Sequence, residues 1–166
     1  WAPISDLRAW YEECTRDGRR YANDVVRSCG GRPGDSVIVD AEYVRRSPVS
    51  YLRKAKGKVP LQIATGIMDG HEGSVPISHS LLAFNEVAEQ EDRIPVETVR
   101  IMTEQAEVPA GLQTSRLDES FGSKAPLFER SSASATVTIF KGGHEIIQPA
   151  AIAWMENLYA RRLKVR

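Results

Sequence analysis

The first third of the chain alternates apolar and polar residues with the period of an amphipathic helix. Ser5 or Asp6 is a suitable N-cap for the first helix, because a short side-chain oxygen can accept the unpaired N–H groups of the first turn. Gly30–Gly34 interrupts the pattern, and a further helical stretch is expected over Val37–Val44. The apolar positions that carry the pattern before this break are Leu7, Trp10, Tyr11, Cys14, Tyr21, Val25 and Val26.

The clearest strand follows. Val59–Gly66 is a short apolar run that ends at a glycine, which is typical of a buried parallel strand. After a polar loop over Ile67–Ser74, apolar residues return at helical spacing. The order of strand, polar loop and amphipathic helix indicates half of a βαβ unit. The helix positions are Ile77, Leu81, Phe84 and Ala88.

The second half is less regular. Prolines and glycines punctuate Glu89–Ser132, which we expect to be a helical and irregular insertion over one edge of the fold, with a helix at Val96–Gln105. Ala135–Phe140 is rich in β-branched residues and predicts a second strand. Pro149 then opens a final helix. Its expected buried stripe is Ile152, Met155, Tyr159 and Leu163.

Composition places the chain among globular proteins. Of 166 residues, 42% are hydrophobic and 27% are charged, with 22 Lys and Arg against 22 Asp and Glu. A neutral chain lacks the basic excess that binding to a phosphate backbone needs, so we do not expect nucleic acid as a partner. No apolar run approaches the ~18 residues of a membrane span. The predicted fold class is α/β, with parallel strands flanked by helices.

Cysteine and histidine spacing gives little support for a metal site. Cys14 and Cys29 are expected to be ordinary thiols, with a bond between them as the alternative. His71, Glu72 and His79 could suggest a metal, but His71 and His79 do not have the i, i+4 spacing that places two ligands on one helix face. We therefore expect no metal and no cofactor.

Two strand ends carry the candidate chemistry. Asp69 follows the first strand and His144 follows the second, and ligands gather at the carboxyl ends of parallel strands. Asp before His is the chain order of the acid and the base in a Ser…Asp…His triad of the α/β-hydrolase type. There the carboxylate holds the imidazole so that Nε2 can take the proton of the nucleophile. The alternatives are that Asp69 caps the following helix and that His144 is an ordinary surface histidine.

These segments resemble a known family, the prolyl-oligopeptidase-like serine hydrolases. Ala64–His71 and Val75–Ser80 look like its acid-bearing region, whose pattern is His/Thr-Gly-x-x-Asp, then Val-Pro and a helix starting near a serine. Phe140–Glu145 resembles its catalytic-histidine segment. Arg46–Pro48 is similar to the Arg-Ser-Pro that often precedes the acid-bearing strand, and Trp1–Asp6 resembles the strand after the nucleophile helix.

The resemblance implies an α/β-hydrolase fold and a serine peptidase that acts through an acyl-enzyme, with Asp69 and His144 as two triad members. The sequence departs from the pattern by a longer stretch between Asp69 and Val75 and by holding no G-x-S-x-G motif. Since the family serine precedes the acid, and the chain starts with Trp1, we expect residues 1–166 to be a single partial domain, the C-terminal part of a catalytic domain of about 200–250 residues. The substrate would be a peptide or a small ester. The alternatives are an esterase of the same fold and a non-catalytic α/β-hydrolase-like binding module.

The triad hypothesis predicts a distance: the Asp69 carboxylate is expected within about 2.6–3.2 Å of a His144 ring nitrogen. Other expectations concern residues outside this pair. Arg45 and Arg46 are either a clamp for a substrate carboxylate or a solvated basic pair. Trp10 and Trp154 are expected in the core. Trp1–Ile4 is expected to form a strand with one edge unpaired.

Overall fold

The computed structural model describes residues 1–164, with side chains through residue 161. Four helices precede the first strand, and the remaining elements form a small sheet with helices on both of its faces. The helices are α1 (Leu7–Arg16), α2 (Tyr21–Cys29), α3 (Val37–Arg46), α4 (Val49–Leu52), α5 (Ser78–Val87), α6 (Val96–Gln105) and α7 (Gln148–Lys164). The strands are β1 (Leu61–Gly66), β2 (Pro126–Ser132) and β3 (Ala135–Phe140). Short 3₁₀ turns occupy Gln90–Asp92 and Glu119–Phe121.

Helices α1, α2 and α3 pack into a helical layer with its own apolar core. Of the two expected caps for α1, Asp6 is the one used, and its carboxylate accepts the N–H groups of Arg8 and Ala9. Gly30 ends α2 in the left-handed conformation, with φ of 81°. The two cysteines are buried free thiols, as expected, and burial raises the pKa of both. The buried core consists of Trp10, Cys14, Val25, Cys29, Val39, Tyr43 and Val75.

The sheet has the order β1-β3-β2 and is mixed. Strands β1 and β3 are parallel, with Leu61 opposite Ala135 and Gly66 opposite Phe140, so the prediction of two parallel strands is confirmed. Strand β2 pairs antiparallel with β3 and was not predicted. The expectation that residues 89–132 are an insertion over one edge of the fold is therefore wrong in part. The last of these residues, Pro126–Ser132, form an edge strand of the sheet itself.

One face of the sheet carries the main core. The inward residues of β1 and β3 pack against α5, and α6 packs on α5 in turn. Burial of large apolar side chains at this face stabilises the fold, at roughly 25 cal/mol per Å² of apolar area removed from water. The largest fully buried side chains here are Ile77, Leu81, Phe84, Ile94, Met102, Phe128, Val137 and Ile139.

Helix α7 lies on the other face, and the buried stripe predicted for it is wrong. Ile152, Met155 and Tyr159 are 51%, 55% and 67% exposed, and the side chain of Leu163 lies outside the described residues. The helix instead turns Ala150 into the protein. Trp154, expected in the core, is half-buried at a cleft of about 840 Å³ between α7 and the polar face of the sheet.

Trp1–Ile4 runs beside β1 but is not a strand, which corrects the expectation. Ala2 has φ of 43°, in the left-handed region that strands avoid, and Pro3 has no N–H to donate. One hydrogen bond joins the segment to β1, from Ala2 N to Ala64 O at 2.7 Å. Across residues 1–164, the helices are too short or too polar to traverse a bilayer.

Candidate active site

The loops after β1 and β3 meet at one edge of the sheet, because parallel strands end on the same side. We name residues 67–75 the acid loop and residues 141–147 the histidine loop. Hydrogen bonds from Ile67 N to Phe140 O (2.8 Å) and from Met68 N to Gly142 O (2.9 Å) join the two loops beyond the strands. A Cβ at Gly66 would lie 2.2 Å from the carbonyl carbon of Gly142, so only glycine fits at this crossing.

Asp69 is held in place by the acid loop. Its side chain is fully buried. Oδ2 accepts a hydrogen bond from Thr65 Oγ1 at 3.1 Å, and Oδ1 accepts one from Val75 N at 3.2 Å. Helix α5 begins only at Ser78, and Asp69 bonds to Val75 instead of to its first turn. The capping alternative for Asp69 is therefore wrong.

His144 joins the same carboxylate from the histidine loop. Its Nδ1 lies 2.9 Å from Asp69 Oδ2, so the expected distance is confirmed. Because a buried carboxylate is the acceptor, the hydrogen-bond network assigns the proton to Nδ1 and leaves Nε2 as the acceptor nitrogen of the ring. The imidazole is 45% exposed, so it can be reached from outside. A catalytic role for the two residues stays a prediction.

Glycines let the acid loop close over this pair. A Cβ at Gly73 would lie 2.3 Å from Asp69 Oδ1 and 2.6 Å from the Cβ of His144. Gly70 has φ of 94° and approaches Pro76 closely. The longer stretch between Asp69 and Val75 thus covers the carboxylate and excludes water from it.

Other contacts at the site had no counterpart in the sequence patterns. Trp10 Nε1 donates to Ser74 O at 3.1 Å, and Arg19 donates to carbonyls of the acid loop. Glu145 Oε1 accepts Gly143 N–H at 3.2 Å, while Oε2 pairs with Lys124. The hydrogen bond from Lys124, followed by that from Gly143, lowers the pKa of Glu145. Beside this loop lies a shallow surface depression of about 460 Å³ between residues 119–124 and residues 146–149.

The remaining histidines lie apart from each other. His71 Nε2 contacts Thr103 O at 2.8 Å on the surface. His79 is buried at the start of α5, with Nε2 3.1 Å from Glu13 Oε2 and Nδ1 3.3 Å from Ser5 N. In the part of the chain that the structure describes, no three His, Cys, Asp or Glu side chains are grouped as metal ligands.

Arg45 and Arg46 both pair with Glu42, at 2.6 and 2.8 Å, on the exposed side of α3. Their hydrogen bonds lower the pKa of Glu42 to about 2. Since both guanidinium groups are exposed and already engaged by Glu42, the interpretation as a solvated basic pair is the one that fits.

Comparisons of the chain with family models, with curated proteins and with solved structures gave no match. The observed architecture is mixed α/β, with helices on both faces of a three-stranded sheet. The residues gathered where β1 and β3 end are thus the basis on which a function can be proposed.

Proposed function

We propose that this chain supplies the acid and the base of a serine hydrolase with an α/β-hydrolase fold, similar to the prolyl oligopeptidases. The observation that carries the proposal is the 2.9 Å contact between His144 Nδ1 and the fully buried carboxylate of Asp69. A buried carboxylate that binds Nδ1–H fixes the tautomer in which Nε2 is a proton acceptor. His79 makes a similar contact with Glu13, but its ring is buried, whereas the ring of His144 is 45% exposed and can meet a substrate.

The proposed chemistry uses Nε2, the acceptor nitrogen of the His144 ring. A serine hydroxyl next to His144 would attack the substrate carbonyl while Nε2 takes its proton, and Asp69 would stabilise the imidazolium that forms. The imidazolium then returns this proton to the leaving amine as the C–N bond breaks, which leaves an acyl-enzyme. Water, deprotonated by the same nitrogen, then attacks the acyl carbon. The imidazolium returns this proton to the serine oxygen as the acyl C–O bond breaks, which releases the acid and regenerates the serine and the neutral imidazole. In an ester the leaving group is an alcohol, and the steps are the same.

We place the serine on a segment outside these 166 residues, since the sequence holds no G-x-S-x-G. In this proposal the chain is the C-terminal part of the catalytic domain. Support comes from the order of the two elements, because β1 with its acid and β3 with its histidine are adjacent and parallel. The two loops therefore lie at one edge of the sheet, where a third element could present a hydroxyl to Nε2.

The test is active-site labelling of the protein that contains this chain together with the serine-bearing segment. We expect a fluorophosphonate to label one serine, and we expect hydrolysis of a peptidyl arylamide. Both should be lost in His144→Gln, because glutamine cannot accept and return the proton. His71→Gln is the matched control, since His71 is an exposed histidine of the acid loop that contacts Thr103 and not Asp69.

Two results would contradict the proposal. One is the absence of any labelled serine, which would favour the alternative of a binding module, consistent with the missing motif in this chain. The other is labelling of His144→Gln at the rate of the parent protein. A labelled serine with hydrolysis of a p-nitrophenyl ester but not of the peptidyl arylamide would assign the esterase alternative, because the acyl pocket distinguishes the two activities.

A further inference from the structure

The helical layer binds the acid loop through its backbone carbonyls. Arg19 lies between α1 and α2, and its Nη2 donates to Gly70 O at 2.8 Å while its Nη1 donates to Gly73 O at 3.0 Å. Trp10 Nε1 donates to Ser74 O at 3.1 Å. One guanidinium thus bridges both ends of the segment that passes over Asp69.

This guanidinium is itself held in position. The Arg19 side chain is only 24% exposed, and Asp17 Oδ2 lies 3.4 Å from its Nη2. The backbone N–H of Arg19 donates to Cys14 O at 2.7 Å, which fixes the connection to the end of α1. A planar guanidinium can donate to two carbonyls at once from a fixed geometry, whereas a lysine ammonium acts from a single point.

The bridged segment touches the acid and the base together. Gly73, whose carbonyl Arg19 binds, is the residue that packs against Asp69 Oδ1 and the Cβ of His144. Val75, just beyond it, donates its N–H to Asp69. A movement of this segment by even a fraction of an ångström would therefore change the hydrogen bonding of the carboxylate.

We propose that Arg19 is a positioning residue for the Asp69–His144 pair, acting through the carbonyls of Gly70 and Gly73. It holds the acid loop closed, keeps water away from Asp69 and thereby keeps the imidazole in its Nδ1–H tautomer. The inference rests on the proposed function for its catalytic consequence. The positioning role itself is measured separately from hydrolysis, by the tautomer of the His144 ring.

The test compares Arg19→Met, Arg19→Lys and the matched control Arg16→Met. Arg16 also pairs with Asp17, at 3.1 Å, but it is 69% exposed and lies at the end of α1. The readout is the pair of ring ¹⁵N shifts of His144 at mildly alkaline pH, where neutral imidazoles report their tautomer. We expect a predominantly Nδ1–H ring in the parent and in Arg16→Met. Arg19→Met should lose this preference, and Arg19→Lys should lose part of it.

A parent-like His144 tautomer in Arg19→Met would overturn the inference. If Arg19→Met does not fold, Arg19→Lys decides, because it retains the charge but cannot bridge both carbonyls; an unchanged tautomer there would overturn the inference too. In the protein that contains the serine, Arg19→Met should lower kcat about 10- to 100-fold, with KM changed by less than about threefold.

The two proposals can fail separately. A tautomer shift in Arg19→Met, in a protein that labels no serine and hydrolyses nothing, would retain the positioning role and reject the hydrolase. Hydrolysis by the parent, with kcat and tautomer unchanged in Arg19→Met, would retain the hydrolase and reject the positioning role.

Discussion

The acid loop and the histidine loop lie side by side, yet they hold their ionisable residues in opposite ways. Asp69 is fully buried and accepts hydrogen bonds from Thr65, Val75 and His144. His144 is 45% exposed, and Asp69 contacts its Nδ1. The neighbour Glu145, rather than His144, makes the ion pair that ties down the histidine loop.

This difference assigns the loops different physical tasks. A carboxylate with three donors in a water-excluded site is fixed before any ligand arrives, and its interactions are stronger there than in water. An imidazole that is anchored at one nitrogen and exposed at its edge can still exchange protons with a group outside the chain. The acid loop therefore holds the Asp69 carboxylate rigidly, and the histidine loop leaves the His144 imidazole accessible to a group outside the chain.

The largest expected effect comes from removing the charge of the acid. Asp69→Asn keeps the shape and the bond from Val75, but its amide donates to Nδ1 and so forces the wrong tautomer on His144. If the proposed function holds, turnover of the serine-containing protein should fall on the order of 10⁴-fold, the loss expected when the acid of a Ser-His-Asp triad is replaced by its amide. The measurement is kcat alongside a thermal melt, with Asp24→Asn on the exposed face of α2 as control. A loss of only a few-fold would show that another carboxylate orients His144.

The second prediction concerns a substitution that disturbs the close packing where the two loops cross. Gly66→Ala places a methyl group 2.2 Å from the Gly142 backbone, so one of the two loops has to move. We expect a loss of unfolding free energy of about 1–3 kcal/mol or more, since backbone on both sides resists the shift. Urea unfolding measures it.

Gly143→Ala is the matched control for the crossing. Gly143 lies in the histidine loop, but a Cβ there meets no atom within 4 Å, and its φ is not in the left-handed region. Its unfolding free energy should stay close to that of the parent. Equal effects of Gly66→Ala and Gly143→Ala would contradict the close packing of the loops.

The third prediction removes one donor from the acid. Thr65→Val is nearly isosteric and deletes the hydroxyl that donates to Asp69 Oδ2 at 3.1 Å. A hydrogen bond to a buried charge contributes about 1.5–3 kcal/mol, and since His144 and Val75 still donate, we expect a loss near the lower end of that range. Thr103→Val is the control, because Thr103 Oγ1 is buried without a hydrogen-bond partner in the part of the chain described here. A loss in Thr103→Val as large as in Thr65→Val would show that removing a buried hydroxyl, and not its bond to Asp69, is responsible.

The sequence is sufficient to predict the two strand ends that form the candidate site. Strand β1 is recognisable as an apolar run that ends at a glycine and β3 as a run rich in β-branched residues, and Asp69 and His144 are candidates because they follow these strands. The β2–β3 hairpin could not be recognised, because its two-residue turn is Ala133–Ser134 instead of the usual Asn-Gly or Asp-Gly, with Ala133 at φ of 49°. An alanine that adopts a positive φ cannot be told from any other alanine in the sequence.

Tertiary contacts account for the other differences between the structure predicted from the sequence and the one observed. Helix α7 has two apolar stripes at helical spacing, one with Ile152 and Met155 and one with Ala150 and Trp154, and only the packing partner selects between them. The contacts of Arg19 are equally hidden, because they reach backbone carbonyls more than 50 positions away in the chain. The sequence cannot indicate which backbone carbonyl a side chain will bind, because every residue carries one.

The smallest effect is expected in the histidine loop. Lys124→Met removes the ion pair with Glu145, a half-exposed pair that we expect to contribute only a few tenths of a kcal/mol. Lys124 holds the pKa of Glu145 below its ordinary value, so this stabilisation is present at neutral pH and is lost as the pH falls through the lowered pKa. The unfolding free energies of the two proteins, measured in urea, should thus differ slightly at neutral pH and coincide in acid. Lys141→Met is the control, because Lys141 is an exposed lysine of the histidine loop itself. A difference that does not change with pH would assign the effect to packing of the lysine stem. A loss as large as that of Thr65→Val would mean that the histidine loop is anchored as firmly as the acid loop, which would remove the contrast between them.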